Sequence, residues 1–148
     1  AYADTAGTAG LAGSTVAALL VDGETAACVW AGDSRVYRWR AGTLEQLTRD
    51  HSEAPGAPGN RAVTRAVGGV RDLDLEVEYH EVLPGDRFLL CSDGLYGEVN
   101  DALLAAALGL GDPAAACARL KAAALDGEAN DNLTAVVVEV GDRAGTLL

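Results

Sequence analysis

The chain has 148 residues, 49% of them hydrophobic, and carries 11 basic against 22 acidic side chains for a net charge of −11. That length supports one domain with a real core rather than two ordinary ones, and the apolar content excludes a disordered chain. The acidic balance excludes nucleic-acid and anionic-membrane surfaces, which need a basic footprint, and suits a protein that collects carboxylates around divalent cations.

Residues 1–12 are small and Gly/Ala-rich without periodicity, and read as a loop or a frayed helix end. Ser14 to Asp22 predicts a first strand, closed by the turn Asp22-Gly23, and Thr25 to Ala31 a second at hairpin distance. Gly32-Asp33-Ser34 follows. Arg35 to Arg40 then alternates Val36, Arg38 and Arg40 against Tyr37 and Trp39, the pattern of an antiparallel strand with one wet face. Ala41-Gly42 turns it into Thr43 to Leu47. Residues 48–60 gather Pro55, Gly56, Pro58 and Gly59 and predict a loop, a candidate lid. Arg61 to Val67 reads equally as a short strand or a helical turn.

Leu73 to His80 alternates apolar and polar residues and predicts a half-exposed edge strand. Asp86 to Cys91 is an apolar run of strand length that stops abruptly at Ser92-Asp93-Gly94, the pattern of a strand buried on both faces. After Leu95 the period changes. Asp101 to Leu108 and Asp112 to Leu125 predict helices, the second with Asp112 as N-cap, Pro113 at the first helical position and Cys117, Leu120 and Ala124 as its inward stripe. Leu133 to Val140 is apolar at nearly every position and predicts a central strand, with Asp131 just before it.

Three aspartates therefore stand at ends of apolar strands: Asp33 and Asp93 after theirs, Asp131 before its own. In an antiparallel sheet the exit of one strand and the start of its neighbour share a rim, so Asp93 and Asp131 can meet without long side-chain reach. Clustered carboxylates repel unless a cation joins them, and hard oxygen donors without His or Cys select Mg²⁺ or Mn²⁺. A water on such a metal is a nucleophile near neutral pH, and two metals can clamp a phosphoryl group. Spacing alone leaves this reading open beside three independent turn acids.

Six short motifs bear on the choice: Trp30-Ala-Gly-Asp-Ser-Arg35, Leu47-Thr-Arg-Asp-His-Ser52, Thr64-Arg-Ala-Val-Gly68, Pro84-Gly-Asp86, Leu89-Leu-Cys-Ser-Asp-Gly-Leu95 and Asp131-Asn-Leu-Thr134. In this order they resemble bacterial PP2C-type (PPM) phosphatases, metal-dependent protein Ser/Thr phosphatases, over roughly the C-terminal two-thirds of the domain. The resemblance implies an α+β fold, an antiparallel β-sandwich flanked by α-helices, as a single PP2C-like domain over residues 1–148 that lacks its N-terminal strands. It implies that Asp93 and Asp131 are ligands of the first catalytic metal, and that Asp33 holds a weaker third metal together with Asp93. The implied cofactors are two Mn²⁺ or Mg²⁺ ions, with that third one weaker. The implied activity is hydrolysis of phosphoserine and phosphothreonine on proteins, in opposition to a Ser/Thr kinase. Two features depart from the family. Its Asp-Gly-x-Gly-Gly segment, whose aspartate bridges both metals, is not found in residues 1–148, and the loop after His51 is shorter than the usual flap. The alternative expectation is thus a truncated or pseudophosphatase module that binds partners without catalysis of its own.

The other chemically suggestive residues have plainer readings. His51 satisfies loop hydrogen bonds, His80 is solvated on an edge strand, and Ser34 and Ser92 lack the histidine that nucleophilic work requires. Ser34 and Arg35 belong to the structural part of their motif, and Arg38 and Arg40 to a solvated strand face. Cys28, Cys91 and Cys117, odd in number and each among apolar neighbours, read as buried thiols of a reducing compartment. With no signal peptide and no apolar run of membrane-spanning length, a monomeric cytoplasmic protein is expected. The absence of Met, including at position 1, predicts that the chain begins inside a longer gene product.

Overall fold

The computed structural model describes residues 13–52, 65, 67–68, 74–126 and 131–141. The expectations for residues 1–12, for most of the 48–60 loop and for most of Arg61 to Val67 lie outside the described residues. Two antiparallel sheets stack. One runs β1 (Val16–Asp22), β2 (Thr25–Ala31), β5 (Glu76–Glu81), with β2 in the middle; the other runs β4 (Thr43–Gln46), β3 (Arg35–Arg40), β6 (Arg87–Cys91), β7 (Ala135–Glu139). Helices α1 (Asp93–Tyr96), α2 (Asp101–Leu108) and α3 (Pro113–Asp126) complete the described elements. The architecture is the expected α+β sandwich with flanking helices.

Strand β6 shows why the fold closes. Its alternate side chains serve two cores: Phe88 packs with Trp30, Cys28 and Val36 between the sheets, while Leu89 and Cys91 pack with Leu95, Leu104, Leu108 and Leu120 beneath the helices. Phe88 and Leu89 are fully buried, and each such side chain contributes about 1.5–3 kcal/mol relative to exposure. Helix α2 starts where Asn100 accepts a bond from the Leu103 amide at 3.0 Å, and α3 where Asp112 accepts one from the Ala115 amide at 2.7 Å. The inward stripe of α3 is Ala116, Leu120 and Ala124 at i, i+4, i+8; Cys117, expected there, is only half-buried.

Three further expectations need correction. In β5 the register sets Glu76 opposite Trp30, Glu78 opposite Cys28 and His80 opposite Ala26, so the polar residues share the face that β2 buries. Val77 and Tyr79 point the other way, and Tyr79 is 74% exposed. His80 is accordingly half-buried rather than solvated. The second correction concerns β3, which has no wet face. Arg38 reaches Glu45 and the Glu81 carbonyl, and Arg40 clamps Asp86 through Nε to Oδ1 at 2.6 Å and Nη2 to Oδ2 at 2.7 Å. The Asp86 side chain is 1% exposed, and burial of an acid needs such a partner. Finally, β7 is an edge strand among the described residues, with Val136 49% and Val138 36% exposed. Both valines lie opposite Leu90 and Phe88, on the face turned to the other sheet, where the sandwich is open beside β1.

Candidate metal centre

The strand registers build the rim. Cys91 at the end of β6 pairs with Arg35 at the start of β3 on one side and with Ala135 at the start of β7 on the other. Asp33, Asp93 and Asp131 therefore all leave the four-stranded sheet at the same end, as the strand-end pattern predicted. The β6 and β7 sides are stitched by Ser92, whose amide donates to the Thr134 carbonyl at 3.2 Å and whose Oγ accepts from the Thr134 amide at 3.0 Å. Asp93 opens the single-turn helix α1, and Gly94 follows with ordinary helical backbone. Gly94 therefore needs no left-handed backbone. It is there for close approach, since a Cβ at this position would lie 2.4 Å from the Asn132 carbonyl oxygen. The missing side chain lets the segment bearing Asp93 rest directly on the segment bearing Asp131.

A second set of contacts ties Asp33 to the same rim. Gly32 takes a φ of +112°, and a Cβ there would meet the Thr15 side chain at 2.4 Å, so only glycine suits the turn that delivers Asp33. Asp33 is 7% exposed. The Tyr96 hydroxyl, at the far end of α1, donates to the Asp33 carbonyl at 2.9 Å. Arg35 lies over the Tyr96 ring with Cζ 3.6 Å from its centroid. Its Nε and Nη2 donate to the two oxygens of Asp50 at 2.9 and 2.7 Å, and its Nη1 to the Tyr37 hydroxyl at 2.9 Å. His51 closes the turn from below: its Nδ1 accepts from the Gly32 amide at 3.2 Å, its own amide donates to the Gly32 carbonyl at 2.9 Å, and its ring stacks on Trp30. These are the loop hydrogen bonds expected of it.

The electrostatics agree with this convergence. Burial, then the negative charges of Asp33 and Asp50, push the Tyr96 hydroxyl above the ordinary phenol range, with Arg35 opposing and Asp93 adding to the rise. Tyr96 therefore stays a proton donor. The Cys91 thiol is pushed up to about 12 by burial, which outweighs the pull of Arg35, so it is no nucleophile. Between the sheets beside this rim lies a cavity of about 260 Å³ with Thr15, Ser34, Ser92 and Thr134 among its walls.

Donor chemistry at the rim suits a hard divalent ion, with carboxylates and backbone carbonyls and no thiolate available as such. The geometry supplies only part of a coordination sphere. Asp93 Oδ1 accepts from the Gly94 amide at 3.0 Å and Asp131 Oδ1 from the Asn132 amide at 2.7 Å, each a bond to the next residue. Among the described residues, no group of three or more His, Cys, Asp or Glu side chains stands close enough to hold an ion. The three aspartates share a rim without closing on one point.

No family model matches the chain. The serine/threonine protein phosphatase PstP of Mycobacterium tuberculosis is 35% identical over 122 residues, 73% of this chain and 24% of that protein. Among solved structures, PppA, a key regulatory component of T6SS in Pseudomonas aeruginosa, is 45% identical with a TM-score of 0.80, over 86% of this chain and 57% of that one. This chain belongs to the PPM, or PP2C-type, Ser/Thr phosphatase family. The PstP catalytic domain solved with two manganese ions is 36% identical with a TM-score of 0.78, and the match covers 88% of this chain and 60% of that domain. The PPM chain described here thus spans about a quarter of the curated relatives and 57–60% of these solved ones.

Sequence reasoning missed Tyr96 and the Arg35–Asp50 pair. Tyr96 carried a usable signal, standing three residues after Asp93 on the same helical turn. The Arg35–Asp50 fork spans 15 positions and nothing local announces it.

Proposed function

We propose that this chain supplies part of a single PPM-type domain that hydrolyses phosphoserine and phosphothreonine on proteins. Asp93 and Asp131 would hold the first catalytic metal, and Asp33 would share a weaker ion with Asp93. The observation that carries the reading is the rim on which Gly94 seats the Asp93 segment against Asn132 while Tyr96 bonds Asp33. The motif series and the relatives at 35–45% identity support the family context. Mn²⁺ is favoured by the two ions in PstP, and Mg²⁺ fits the same hard donors. When bound, the metal pair supplies an activated water and neutralises phosphate charge. This chain's own residues hold and orient that centre.

Phosphoproteins modified by a Ser/Thr kinase are the implied partners, with a monomer in the cytoplasm as the working form. Among the described residues no helix is long and apolar enough to cross a membrane. The second reading, a binding module without catalysis, is favoured by one specific observation: the described acids do not form a complete ion site.

The test is Mn²⁺-dependent hydrolysis of p-nitrophenyl phosphate by the full-length gene product. Turnover is expected, and Asp93→Asn or Asp131→Asn should abolish it. No turnover by the unaltered protein removes the enzymatic reading, and unchanged turnover in either variant means the centre lies elsewhere.

A further inference from the structure

We infer that Arg35 is a positioning residue: acting through Tyr96, it fixes Asp33 relative to Asp93 on the rim. The inference rests on the proposed reading of those two aspartates as ligands. Helix α1 has only four residues, closed by the Gly97 amide on the Asp93 carbonyl at 2.8 Å, and one turn cannot fix its own orientation. Tertiary contacts must do so. Gly94 on Asn132 is one of them, and it faces the Asp131 side. On the Asp33 side the described contact is the Tyr96 hydroxyl on the Asp33 carbonyl, a bond between residues 63 positions apart.

A phenol ring on a one-turn helix swings unless something holds its face, and the guanidinium of Arg35 lies against that face at 3.6 Å. The guanidinium in turn is pinned from its edge by both oxygens of Asp50 and by the Tyr37 hydroxyl. Asp50 belongs to the segment that Thr48 and His51 tie to β3 and to Gly32, through Thr48 Oγ1 on the Val36 amide at 3.0 Å and the His51 amide on the Gly32 carbonyl. The series Asp50, Arg35, Tyr96, Asp33 thus crosses from the 47–51 segment to the rim in contacts of 3.6 Å or less. It needs the planar fork of arginine, because a lysine ammonium is a compact charge that cannot lie flat on a ring while presenting two parallel N–H groups to a carboxylate. Three of the five N–H donors of Arg35, one on each nitrogen, are engaged within the protein, which suits a positioning role.

The experiment uses the full-length gene product as wild type, Tyr96→Phe, Arg35→Lys, Arg35→Gln and the double variant Arg35→Gln/Tyr96→Phe. Two quantities are read: Mn²⁺ affinity from the electron spin resonance of free Mn²⁺, and hydrogen exchange of the Gly97 amide without metal. Tyr96→Phe and Arg35→Gln should each weaken the weaker class of Mn²⁺ sites roughly tenfold, the scale of losing an outer-sphere support, and speed exchange at Gly97. Arg35→Lys should not rescue. The double variant should lose no more than either single, because both changes cut one series. Wild-type affinity and exchange in Arg35→Gln, full rescue by lysine, or additive losses in the double variant would each overturn the inference. Should Arg35→Gln fail to fold, Tyr96→Phe removes one hydroxyl alone, and unchanged affinity and exchange there are equally decisive against it. If the wild type shows no weaker class of Mn²⁺, the ligand reading of Asp33 falls by itself, and exchange at Gly97 still decides the role of Arg35.

Discussion

Gly94→Ala tests the seating of Asp93 against Asp131. In a helix with room to spare, alanine is favoured over glycine by about 0.5–1 kcal/mol, so an open position predicts a small gain. Here the new Cβ would sit 2.4 Å from the Asn132 oxygen, 3.0 Å from its carbonyl carbon and 3.4 Å from the Leu133 Cα. All three are backbone atoms, so no side chain can swing aside, and α1 and the 131–134 segment must part by several tenths of an ångström. Overpacking of this kind costs typically about 1–3 kcal/mol, which exceeds the helical gain. Net of that gain roughly 0.5–2 kcal/mol remains, which for a domain of this size corresponds to a fall in Tm of about 2–6 °C. Thermal unfolding followed by circular dichroism measures it, with Gly141→Ala as control, since nothing lies within 4 Å of a Cβ there. Mn²⁺ uptake by the folded variant should fall as well, because the parting displaces Asp93. A Gly94→Ala protein as stable as the parent would refute the argument, since the contact would then be too soft to set the rim.

The Asp86 carboxyl gives a pH prediction. Burial pushes its pKa up, but the Arg40 fork and the Leu83 amide outweigh burial and hold it below the ordinary carboxylate range. A depressed folded pKa means stability that is present above the unfolded value near 4 and is lost as pH falls through the folded one. Acid unfolding should therefore set in below about pH 4 in the parent, and Arg40→Gln should destabilise the protein by roughly 3 kcal/mol at neutral pH by stranding the buried charge. A Tm unchanged in Arg40→Gln would refute this account. For the thiols, burial raises Cys28 to about 11 and Cys91 to about 12, so both should resist a disulfide reagent at pH 8 until urea unfolds the protein. Fast modification of Cys91 in the native state would contradict its placement in the core.

The legible part of this protein is the part written in short-range patterns. Strands β2 and β3 and helix α2 run where apolar runs, turn residues and caps placed them, because each signal lies within a few positions of the element it bounds. The shared rim was legible for a related reason: antiparallel pairing brings strand exits and starts together whatever the side chains are. Alternation, in contrast, says that two faces differ and not which one is covered. The polar side of β5 thus turned out to share the core face of β2, and the arginines of β3 to be engaged rather than wet.

Strand β7 carries the same lesson further, since its sequence is apolar on both faces, the pattern of a strand covered on both faces, which does not say how many neighbours it pairs with. The described residues give it β6 alone and leave Val136 and Val138 at the open slot beside β1. That slot adjoins the rim on which three aspartates share an end of the sheet without closing on an ion. Among the described residues, an edge strand with apolar side chains on both faces favours further backbone beside β7 that would cover Val136 and Val138.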